Sequence, residues 1–196
     1  MDELLALFSI YCDAEKASQK CKLLADNHGD AIALEKISVS EFSPGPVVNQ
    51  EYIARQIFSP IHVEDDNSIK STAFDDVANK GLSVNRMSLV EVETIHSNGL
   101  EKQNRDNAKA LESGRPEKAN REYLGFVQTK VETVRDYYDE DARVYSVYDS
   151  SLNSSREHAD ICMIKQDTRS NDNVKWVKMF RRKKLQEMFS PLTTPA

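Results

Sequence analysis

The chain has 196 residues, 30% charged and 39% hydrophobic, with a formal net charge of -6. That length can bury a core without disulfides or metals, and the acidic balance argues against wholesale attraction to nucleic acid, which needs clustered cations. The three cysteines Cys12, Cys21 and Cys162 form no CxxC, no apolar run reaches the about 18 residues of a membrane span, and Met1-Asp2-Glu3 starts acidic, so a cytoplasmic protein without a membrane anchor is expected.

From Glu3 to about Asp26, Leu4, Leu5, Phe8, Tyr11 and Cys12 recur at helical spacing, with Asp13, Glu15, Lys16 and Lys20 outside the stripe. An amphipathic helix is predicted there, and Asn27-His28-Gly29-Asp30 supplies the turn after it. Residues 31–39 fit neither the helical nor the strand period. Ser43-Pro44-Gly45-Pro46 is the strongest punctuation, because prolines flanking a glycine continue neither helix nor sheet. The default is one domain over 1–196, with a helical piece at 1–42 that the turn at 43–46 can set apart from a main body at 47–196.

Tyr52 to Phe58 reads as a strand that Pro60 ends, since proline removes a ladder donor. Gly81 to Leu89 alternates as a half-buried strand, with Arg86 on the parity of Leu82 and Val84. Val90 to Ser113 is polar and sparse in large apolar residues, which predicts a surface helix interrupted at Asn98-Gly99. Strands follow at 123–127, 143–148 and 159–164, with a short helix around 132–138. Residues 174–189 place Trp176, Val177, Phe180 and Met188 on one side of a helix, the side expected to dock on the sheet. No fixed-period repeat occurs, which disfavours a solenoid. The fold class expected is α+β, a mixed or antiparallel sheet of about five strands packed by the N- and C-terminal helices.

His62 follows a proline break and precedes Glu64, Asp65 and Asp66, acids whose charge would raise its proton affinity. The plain alternative is a strand-end histidine bonded to backbone or facing solvent. Arg86, on an apolar parity, is either an anion clamp in a cleft or half of a structural ion pair. His158 lies between the Ser150 to Ser155 loop and a strand, a common place for function and equally for a solvated side chain. Together His62, Arg86 and His158 would suit a small phosphodiesterase or nucleotide-modifying site, with Tyr123 or Tyr148 lining it. No P-loop, dinucleotide fingerprint, nucleophile elbow, zinc-deaminase pattern or ordered metal signature occurs, so neither cofactor nor metal is expected. Cys12 and Cys21 read more simply as buried apolar thiols than as nucleophiles.

The one basic cluster is Lys175, Lys178, Arg181, Arg182, Lys183 and Lys184, interleaved with Trp176 and Phe180. Such a face could contact an acidic protein or a nucleic-acid backbone, or be the solvated side of a terminal helix. The leading expectation is a non-catalytic interaction or regulatory subunit that holds a protein partner, with the phosphodiesterase as the alternative and nucleic acid as a lesser option for the basic helix.

Overall fold

Five short segments, most of them buried on both faces, build the sheet, and the helices between them cover its two sides. The computed structural model describes residues 2–11, 17–165 and 171–195. The strands are β1 (Tyr52–Ser59), β2 (Leu82–Arg86), β3 (Glu122–Lys130), β6 (Tyr145–Asp149) and β7 (His158–Met163), in the order β3-β1-β2-β7-β6. Every neighbouring pair is antiparallel. A small separate hairpin joins β4 (Tyr138–Asp139) to β5 (Ala142–Arg143). The result is an α+β fold with an antiparallel sheet.

One face of the sheet presents Ile53, Ile57, Leu82, Val84, Val127, Val147 and Ile161. Phe74 and Val77 from the 3-10 segment Ser71–Ala78, and Leu185 from α6 (Asn171–Glu187), close over that face. On the opposite face, Tyr148 and Cys162 meet Phe8 of α1 (Asp2–Tyr11), Leu24 of α2 (Lys20–Asp26) and Leu34 of α3 (His28–Leu34). Beside them, Ala54 and Phe126 pack on Ile95 of α4 (Val92–Glu112). A further short helix, α5 (Val131–Arg135), follows β3 directly.

The free edge of β3 is occupied by the C-terminal segment, since Phe126 and Thr193 exchange backbone hydrogen bonds of 3.0 and 2.8 Å. That pairing blunts an edge that would otherwise template aggregation. It also explains Gly125, whose φ is +133° and where a Cβ would lie 2.0 Å from the Thr193 carbonyl oxygen.

Three local expectations are corrected. The helix does not end in a turn over 27–30: Asn27 alone forms the joint, and its carbonyl accepts the Ala31 N–H at 2.8 Å, so α3 starts at His28. Cys12 lies outside the described residues. α4 runs unbroken through Asn98-Gly99, because Gly99 is a close-approach site: a Cβ there would sit 2.5 Å from the Tyr123 ring. In α6 the docked stripe is Val177, Arg181 and Leu185, whereas Trp176 and Phe180 face outward. The wheel turned because Arg181 is buried as the partner of Asp139 (2.6 Å), an ion pair that apolar periodicity cannot reveal.

Candidate functional site

His62 is a structural cap. The β1–β3 register shifts between Ile57 and Phe58, and the Phe58 N–H donates to Nδ1 of His62 at 3.2 Å. The chain reverses there, since the His62 N–H donates to the Phe58 carbonyl at 2.8 Å. The ring edge packs on Phe58 with centroids 5.8 Å apart. Glu64, Asp65 and Asp66 are exposed. The pKa of His62 moves down to about 3, against the direction its acidic neighbours in sequence suggest, because burial and then the charges of Arg55, Lys102 and Arg121 oppose protonation.

Arg86 forms a buried two-point ion pair with Glu51, at 2.9 and 2.8 Å, and donates to the Gly45 carbonyl at 2.7 Å. Burial pushes the Glu51 carboxyl up, but bonds from Arg86 and Ser88 outweigh it and hold the pKa below the ordinary value. The Pro-Gly turn thus serves to aim a carbonyl at the guanidinium. Arg86 pairs with Ile53 in register, whereas His158 pairs with Asn85, the residue before Arg86, so Arg86 and His158 project to opposite sides of the sheet. The three-residue catalytic constellation is therefore not assembled. Tyr148 donates to the Ala31 carbonyl at 2.9 Å, and the Tyr123 hydroxyl meets His96 at 3.1 Å.

His158 does line a cleft. Its Nδ1 lies 3.0 Å from the Ser150 carbonyl oxygen and its Nε2 3.2 Å from the Ser83 hydroxyl. The cleft, about 490 Å³, opens where β1 and β2 part, under α4 and the loop before β7. Arg55, Lys102 and Arg105 are its cations. None was singled out from sequence, although Arg55 sits on the parity of Ile53 and Ile57, the same signal that marked Arg86.

The basic cluster of α6 divides into three groups. Arg181 is 1% exposed and committed to Asp139, and Arg182 is paired with Asp75. Lys183 and Lys184 bond along the helix to Gln186 and Glu187. Lys175 and Lys178 are exposed. Between the lysines, Trp176 (60% exposed), Met179 (47%) and Phe180 (43%) form a continuous outward stripe. The two rings stack with centroids 5.7 Å apart and planes 8° from parallel, and the Lys184 ammonium lies 5.6 Å from the Phe180 centroid. A shallow groove of about 290 Å³ runs along this stripe, lined also by Ser71 and Lys183.

Among the described residues no cluster of His, Cys, Asp and Glu is arranged to hold a metal ion, and no helix is long and apolar enough to cross a membrane. Comparison with known proteins finds no matching family model, curated protein or solved structure.

Proposed function

We propose that the protein is a non-catalytic interaction subunit of the cytoplasm, and that it holds a protein partner through the outer face of α6. The observation that carries this reading is the stacked Trp176–Phe180 pair, with Met179 beside it, left outside on a helix whose inner face is docked. Aromatic anchors in a shallow groove are the usual source of binding energy at protein interfaces.

Charge selects the occupant. Lys175, Lys178 and Lys183 surround the stripe, so the partner segment is acidic and carries apolar side chains that enter the groove. A nucleic acid is less well served. Arg181 and Arg182 are committed inside the protein, and the remaining lysines stand on a chain of net charge -6. The free buried thiols Cys21 and Cys162 accord with a reducing compartment.

The test is a photo-crosslinking residue at position 179 of the full chain in cells. The expected product is one discrete adduct to an acidic protein segment, absent when Trp176→Ser and Phe180→Ser are both introduced. Crosslinks only to RNA, to lipid, or to a second copy of this chain would overturn the reading.

A further inference from the structure

The β1–β2 ladder is short, with only Ile53↔Arg86 and Ala54↔Asn85 in register, although β1 runs on to Ser59. Where it stops, the guanidinium of Arg55 enters the gap and donates to the Ser83 carbonyl and the Ala73 carbonyl, each at 3.2 Å. Arg55 is 9% exposed and its Nε has no partner.

Every other buried cation among the described residues has a carboxylate. Lys20 meets Asp160 at 2.6 Å, Arg86 Glu51 at 2.8 Å, Arg135 Glu35 at 3.1 Å and Arg181 Asp139 at 2.6 Å. Arg55 has no such ion pair. Asp76 and Asp160 act on it only at longer range, against a burial that pushes its pKa down. A buried charge without a partner is costly unless something else supplies the counter-charge.

Lys102 reinforces the deficit. Its ammonium sits 5.6 Å from the Phe58 centroid with no ion pair to any described carboxylate, and burial, followed by the charge of Arg55, lowers its pKa. Arg105 stands at the rim. The rest of the lining is mainly polar, with hydroxyl, amide and carboxylate groups beside Ala54, Val84 and Leu152, and it has no phenyl, phenol or indole ring on which a base could stack. The volume, about 490 Å³, suits a small molecule.

We propose that this cleft binds a small phosphate monoester of a polyol, with the phosphate on Arg55, Lys102 and Arg105 and the hydroxyl-bearing part toward Glu101, Glu157 and His158. The planar guanidinium offers five N–H donors, of which two are used internally, so three remain for an anion. The carboxylates repel a bare polyanion but accept hydroxyls, which favours one phosphate on a neutral body. This site is separate from the α6 face and stands or falls independently of it.

The test is calorimetric titration of the full chain with glycerol 3-phosphate, against glycerol, inorganic phosphate and sulfate at matched ionic strength. Saturable binding of glycerol 3-phosphate is expected, tighter than either inorganic anion, with none for glycerol. Arg55→Met should weaken it at least tenfold while leaving the ligand-free melting temperature unchanged or higher, because an unpaired buried charge has been removed. If that variant fails to fold, Lys102→Gln with Arg105→Gln, at a half-buried and an exposed position, should produce the same loss. Absence of saturable binding at millimolar ligand, equal binding of sulfate, or undiminished binding by the folded variants would overturn the proposal.

Discussion

Protonation of His62 should open the end of β1. Nδ1 accepts the Phe58 N–H, and a proton there would turn an acceptor toward a donor in a buried setting beside Arg55 and Lys102. The native pKa of about 3 lies below the ordinary value of 6.5, so between those values the unfolded chain binds a proton that the folded chain refuses. Stability from this group is complete above pH 6.5 and falls as the pH drops toward 3. At about pH 5 the deficit is roughly 1.5 pH steps, or about 2 kcal/mol. His62→Asn keeps an acceptor for Phe58 and does not titrate. Urea unfolding of both proteins at pH 7 and pH 5 should show the natural chain losing about 2 kcal/mol more than the variant over that interval. Equal losses in the two proteins would refute the reasoning, whatever their difference at pH 7.

Three further outcomes follow from packing and pairing. Gly99→Ala should lower stability by about 1–3 kcal/mol in thermal unfolding despite the better helix propensity of alanine, because the added carbon meets the Tyr123 ring at 2.5 Å. Glu51→Gln should cost about 3–5 kcal/mol, since it strands the buried Arg86, and its chemical-denaturation midpoint should fall accordingly. Arg181→Gln should likewise destabilise measurably, whereas Lys178→Gln on the outer face of the same helix should stay within about 0.5 kcal/mol of the natural chain.

The strands were legible from β-rich runs bounded by turn residues: residues 52–58 form β1, and the alternation read over 81–89 holds for β2, which stops at Arg86. The punctuation at Pro60 was legible because proline lacks the N–H that a ladder needs, and β1 ends at Ser59. What escaped were features made by distant pairing. The inner stripe of α6 passes through Arg181, which counts as polar until Asp139, 42 residues earlier, is seen to meet it. Gly99 reads as a helix break and is a contact with Tyr123. The same limit governs the sites. His62 was marked by acids that turn to solvent, while its behaviour is set first by burial and then by cations from β1, α4 and the approach to β3. Arg55 carried a parity signal equal to that of Arg86, but only the parting of two strands makes it a cleft residue.

The division of α6 into an inner face that builds the fold and an outer face that binds is tested most directly by titrating the crosslinked partner segment into the purified chain and into Trp176→Ser. A loss of about 30-fold in affinity, equivalent to about 2 kcal/mol, with an unchanged melting temperature is the predicted result. Undiminished affinity in a variant that melts with the natural chain would contradict it.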